Sequence, residues 1–302
     1  MRRTGAAAVA AVLTAALMTG CGAPGGVDGD LTDNWPAVAA PTGFVPPADT
    51  CHAAAFSDVG FRDAYEQVDC DEPHRTETVA VGTFTGAPAT AAAPPAQGSP
   101  GAKAAYTDCD AKAVAHVGGD WRTARLWLGV VQPSPAAWTG GARWYRCDLV
   151  EVSSIEDDGD LVNRTGTLRS ALTDQASPLR LTCYAVQLDA AGAIDTMPAR
   201  SCTTSHNAEF VGVWKAGELP YPTGGTQWAP FHAGCRGLIA AYAGVPNDKN
   251  LEFRTGVVSL PGGEDVWADG DRGVRCYLWV AGADLTASVK GGGDKALPIQ
   301  YE

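Results

Sequence analysis

Two sets of four cysteines lie in register along the chain, and this spacing constrains the fold more than any other feature. Cys51 to Cys70 spans 19 positions and so does Cys183 to Cys202; the next intervals are 39 (to Cys109) and 33 (to Cys235), and the last are 38 (to Cys147) and 41 (to Cys276). One unit of about a hundred residues therefore occurs twice. A unit that small buries only a modest core, so covalent staples matter to it. Within a set four cysteines allow three pairings. First with second and third with fourth is the favoured arrangement, the latter tying a helix to the final strand.

The compartment decides whether such cysteines are oxidised. Met1-Arg2-Arg3 is basic, Ala6 to Leu17 is an apolar run, and Met18-Thr19-Gly20 leads with small residues to the ninth cysteine, Cys21. The run is shorter than the roughly 20 residues a membrane span needs. Residues 1–20 read as a secretory signal peptide, Cys21 as the acylated (palmitate-bearing) anchor, and 21–49 as a Pro/Ala/Gly-rich tether. An exported protein held on the outer face of the cytoplasmic membrane has oxidising surroundings, so the other eight cysteines are expected as disulfides. The chain carries 22 basic and 34 acidic residues. Without Arg2 and Arg3 the formal charge is −14, which argues against nucleic acid and against electrostatic attachment to anionic lipid; membrane attachment would rest on the N-terminal lipid.

The residues around the cysteines repeat as well. Cys70-Asp71-Glu72-Pro73-His74-Arg75-Thr76-Glu77 is matched by Cys202-Thr203-Thr204-Ser205-His206-Asn207-Ala208-Glu209, with histidine at plus four and glutamate at plus seven. Trp138, Gly141, Arg143 and Arg146 stand before Cys147 as Trp267, Gly270, Arg272 and Arg275 stand before Cys276. Runs of β-branched and aromatic residues predict strands at Thr76–Val81 and Glu209–Trp214, Leu126–Val131 and Leu251–Ser259, Arg143–Val152 and Arg272–Val280. Phe231, Cys235, Leu238, Ile239 and Tyr242 share one helical face. The equivalent helix, about Ala104 to Val117, has Lys112 and His116 where Leu238 and Tyr242 stand and is expected to pack less tightly. Gly86–Gly101 is low in complexity and expected to be disordered. The fold expected is α+β: two tandem small disulfide-stapled domains, each with three or four strands and one helix, at 50–152 and 179–283, with a linker at 153–178 and a tail at 284–302.

A cysteine, then Cys-x-x-Pro-His-x-x-Glu entering a strand, a helical cysteine, and Trp-x-x-Gly-x-Arg-x-x-Arg-Cys resembles the septum formation-related domain of actinobacterial exported proteins. The second copy departs from it at Ser205, where the pattern has proline. The resemblance implies a place in the cell envelope and a link to division; it supplies no catalytic residues.

As candidate sites the repeated His74/Glu77 and His206/Glu209 stand first. On a strand, residues three apart point to opposite faces, which argues against a shared ligand set. The expectation is instead a local hydrogen bond for each histidine and an arginine partner, such as Arg146 or Arg275, for each glutamate. Trp138 and Trp267 could stack on glycan rings, but their fixed distance from a cysteine favours packing against a disulfide. No Gly-x-Ser-x-Gly or His-Glu-x-x-His occurs, and no metal, cofactor or catalytic residue is expected. These features point to a non-catalytic envelope lipoprotein whose tandem domains bind an envelope protein or a cell-wall component. A wall hydrolase using the His-x-x-Glu motifs and a structural spacer are the alternatives.

Overall fold

The computed structural model describes residues 43–60, 66–157 and 159–300. The expected signal peptide, Cys21 and most of the expected tether lie outside these residues. From Gly43 onward the chain is one compact unit with mixed helices and strands, and no described helix is long and apolar enough to cross a membrane.

The first half contains β1 (Thr50–His52), β2 (Val59–Gly60), β3 (Gln67–Val68), β4 (Thr76–Thr83), α1 (Gly86–Thr90), α2 (Pro100–Val117), β5 (Leu126–Pro133), α3 (Pro135–Thr139) and β6 (Trp144–Glu151). The second contains β7 (Cys183–Tyr184), β8 (Gln187–Leu188), β9 (Ile194–Thr196), β10 (Ala199–Arg200), β11 (Ala208–Lys215), α4 (Ala229–Ala243), β12 (Gly256–Pro261), α5 (Glu264–Ala268) and β13 (Gly273–Trp279). The sheet orders are β2-β5-β6-β4-β1-β3 and β12-β13-β11-β7-β10, so the same five-strand order recurs and the first sheet adds β2. Each sheet has more than the four strands expected, because β1, β3, β7 and β10 are too short to show a period of two. The long strand of each half bulges at the same place, Thr78/Ala80 in β4 and Phe210/Gly212 in β11.

Disulfides join Cys51 to Cys70, Cys109 to Cys147, Cys183 to Cys202 and Cys235 to Cys276. The first of each pair clasps the short edge strands; the second fastens α2 to β6 and α4 to β13. Helix α2 starts where Ser99 accepts from the Ala102 N–H ahead of Pro100, and it ends at Gly118 in the left-handed region, φ 78°. It buries Ala102, Ala105, Tyr106, Cys109, Ala113 and His116. The two more polar positions part company: His116 is buried with a partner, while Lys112 is exposed.

Three further expectations need correction. Gly86–Gly101 is ordered: it forms α1 and a turn whose Ala91 and Ala89 carbonyls accept from Trp138 Nε1 at 2.9 Å and Arg143 Nε at 2.5 Å. Only the later part of Leu251–Ser259 is strand. Leu251–Phe253 forms a 3-10 turn that buries Leu251, after the Asp248 carbonyl accepts from the Leu251 N–H. Within 153–178, residues 164–168 dock on the first sheet, where His74 and Arg164 exchange both backbone hydrogen bonds.

The halves are joined by backbone and by charge. Arg125 N–H donates to Leu179 O at 2.8 Å and Leu181 N–H to Thr123 O at 3.0 Å. Arg122, 1 % exposed, reaches across to Asp271 with Nε at 2.9 Å and Nη2 at 2.7 Å, and Asp110 takes its Nη1 at 2.7 Å. Burial opposes the Arg122 charge, but Asp271 and its other anionic neighbours outweigh it and hold the guanidinium protonated. Arg275 donates to the carbonyls of Arg122 at 2.9 Å and Leu126 at 3.2 Å. The ring of Trp121 lies beneath the Arg122 guanidinium, 4.2 Å from its centroid.

Candidate functional site

His74 and Glu77 come together after all, contrary to the strand argument. His74 precedes β4, so alternation does not govern it, and it turns back beside Cys51, the cross-strand partner of Glu77. Ligand-type atoms of Cys51, His74 and Glu77 lie within 4.8 Å of one another, as do those of Cys183, His206 and Glu209. His74 is 0 % and Glu77 2 % exposed; His206 is 1 % and Glu209 0 %.

The carboxylates are saturated. Glu77 accepts from His116 Nε2, Thr167 Oγ1 and Leu168 N–H, each at 2.6 Å. Burial alone would raise its pKa, but these three donors outweigh it and hold the carboxyl below its usual range. Glu209 accepts from Tyr242 Oη at 2.7 Å, Ser288 Oγ at 2.6 Å and Val289 N–H at 2.8 Å. His116 and Tyr242 stand seven residues after Cys109 and Cys235, so the same helical position supplies a donor of different chemistry. Thr167-Leu168 and Ser288-Val289 each follow by three residues the backbone bridge made by the motif histidine, at Arg164 and Leu285.

Each motif histidine makes the local hydrogen bond expected, His74 Nδ1 to Glu72 O at 2.8 Å and His206 Nδ1 to Thr204 O at 2.7 Å. The arginine partners differ from expectation. Arg164 approaches Glu77 to 3.8 Å, Arg146 binds Asp148, and Arg275 serves the junction between the halves. With sulfur committed to a disulfide, each cluster offers a metal only an imidazole and a carboxylate already satisfied by the protein. A nucleophile or general base needs access to substrate, which these buried pairs lack.

Next to these clusters the halves diverge. In the first, His52 Nε2 donates to Thr78 Oγ1 at 2.9 Å, Thr78 donates to Asp148 Oδ1 at 2.8 Å, and Arg146 closes on Asp148 Oδ2 at 2.7 Å. In the second, Tyr184, Phe210 and Tyr277 occupy the positions of His52, Thr78 and Asp148, with ring centroids 5.4 and 5.5 Å apart. One buried polar chain is replaced by an aromatic cluster.

Trp138 and Trp267 are 1 % and 3 % exposed, on α3 and α5, and present no free ring face. Arg143 and Arg272 stack on them at 4.1 and 4.9 Å and donate to their carbonyls. Trp267 packs in the cluster holding Cys235 and Cys276, whereas Trp138 packs with Phe84 and Ala105.

No curated protein and no solved structure matches the chain. A family model described as Septum formation matches residues 48–276, a span that takes in both His-x-x-Glu clusters, all four disulfides and the junction between the halves. The chain belongs to the septum formation family.

Proposed function

We propose that this protein is a non-catalytic envelope lipoprotein acting at the division septum, built from two copies of one disulfide-stapled unit that serve as a binding module. The observation that carries the non-catalytic reading is the closure of both His-x-x-Glu clusters. They are the chain's nearest approach to catalytic machinery, and their exposure is 2 % or less. Their carboxylates hold a strand, a helix and a returning loop together, which is structural work. Anchoring through Cys21 would place the module on the outer face of the membrane, where a protein or wall partner is within reach.

The test is the position of a fluorescently tagged full chain in dividing cells, beside its Cys21→Ala variant. Enrichment at the septum that is lost or released from the membrane in the variant is the expected result. Uniform envelope distribution would remove the septal role. Solubilisation of purified wall material that vanishes in a folded His74→Ala/His206→Ala protein would replace the binding reading with a hydrolase.

A further inference from the structure

A cavity of about 720 Å³ lies where the halves meet, walled by the first half and by Asp265, Val266 and Asp269 of and beside α5. It is separate from both glutamate clusters. One wall is aromatic: Phe56 and Trp127 meet edge to face at 4.6 Å, and the Trp127 side chain is only partly buried. Proline rings line much of the remainder.

The polar lining is dominated by acceptors. Asp58, Asp265 and Asp269 contribute carboxylates, and among the described residues no lysine, arginine or histidine lines the cavity. Gln132 spends its donor on Pro95 O at 3.2 Å and leaves Oε1 buried without a partner. Ser57 gives its hydroxyl proton to Val59 O at 3.1 Å. Tyr106, 3 % exposed, lies beside Asp271, and burial together with that carboxylate keeps its hydroxyl protonated. Burial raises the Asp269 pKa and the neighbouring Asp265 charge adds to the rise, while the hydrogen bond from Gly98 N–H and, more weakly, the Lys103 charge oppose it. A ligand that fits must bring donors, positive charge and an apolar stem.

We infer that this cavity binds the guanidinium or ammonium side chains of a basic peptide, seated against the Trp127 ring with Asp58, Asp265 and Asp269 around it. A bare metal ion fits poorly. Among the described residues the ligand sets that converge within 4.8 Å are the two Cys/His/Glu clusters, and these aspartates are not among them. Carboxylates spread over a cavity suit an extended cation. The formal charge of −12 steers such a partner inward. In the second half Gly256 occupies the register position of Trp127, so that half has no matching ring.

The proposal rests on the binding-module reading and is tested apart from it, by calorimetry on the full chain with N-acetyl tri-arginine amide and its neutral near-isostere, the tri-citrulline amide. Tri-arginine should bind, with affinity falling as salt rises, and tri-citrulline should not. Asp58→Asn/Asp265→Asn/Asp269→Asn should weaken binding at least tenfold with melting unchanged, while neutralising Asp71, Glu72 and Asp195, exposed elsewhere, should change it less than twofold. Failure of tri-arginine to bind, equal binding of tri-citrulline, or equal weakening by the two triple variants would each overturn the site. Septal enrichment without peptide binding would sink this inference alone; peptide binding in a chain that degrades wall material would sink only the non-catalytic reading.

Discussion

The Glu77 carboxylate receives the His116 Nε2–H at 2.6 Å, joining the strand that follows the first disulfide to the helix that carries the second. Glu209 and Tyr242 make the equivalent junction at 2.7 Å. Each carboxylate is a buried charge stabilised by three directed donors, and removing the charge leaves those donors with a weaker acceptor. Glu77→Gln and Glu209→Gln are each expected to lower unfolding free energy by about 3 kcal/mol, within the range for breaking buried charged networks. Denaturant titration of the oxidised protein measures this. A loss below about 0.5 kcal/mol would mean the carboxylates are not keystones.

What the chain's residues reveal in advance, and what they hide, follows from distance along the chain. The cysteine ladder, the long strands and the helical face around Cys235 are local patterns, and the structure contains them. The His74/Glu77 convergence is hidden because the period of two stops at the turn that precedes the strand. His116 and Tyr242 occupy one position with unlike side chains, so sequence similarity does not flag it; their shared ability to donate a hydrogen bond does. Thr167 and Ser288 lie beyond the last cysteine of each set, in stretches without hydrophobic period. Arg122 and Asp271 are 149 positions apart, and no local signal connects them.

The Arg122–Asp271 contact fastens one half to the other, with side chains 2 % and 3 % exposed. Arg122→Met would leave the Asp271 carboxylate buried without its guanidinium partner, facing only neutral donors such as the Gly273 N–H, 2.9 Å away. The expected cost is about 3–5 kcal/mol. Native-state hydrogen exchange should show protection falling together in β6 and β13. Loss confined to one sheet would show that the halves unfold independently.

The four disulfides differ in access. Cys109, Cys147, Cys235 and Cys276 are all 0 % exposed, whereas Cys70 and Cys202 are only partly buried. Loop length hardly separates them, because entropy varies with its logarithm: loops of 19 and 41 residues differ by about 0.7 kcal/mol. Access to an attacking thiolate decides the order instead. Under graded dithiothreitol followed by alkylation and peptide mapping, Cys51, Cys70, Cys183 and Cys202 should be labelled before the helix-to-strand cysteines. The reverse order would require opening of the helix-to-sheet cores first.

His52 gives the first half a pH dependence that Tyr184, at the matching position of the second half, does not supply. Burial, and next the Arg146 charge, lower its pKa from 6.5 to about 4, despite a backbone hydrogen bond at Glu66 that favours the proton. The unfolded chain therefore binds a proton below about pH 6.5 that the folded chain refuses until about pH 4. The associated stability is full above pH 6.5, is lost as pH falls through this window, and amounts to up to about 3 kcal/mol. Glu77, also held below its usual range, adds a loss of the same sign at lower pH. Tyr184 stands at the position of His52 and stays neutral throughout. Urea unfolding at pH 7.5 and pH 4.5 should show a clear acid loss in the native chain and a smaller one in His52→Gln, which removes the titrating ring. Equal pH slopes in the two proteins would mean that His52 does not carry the dependence.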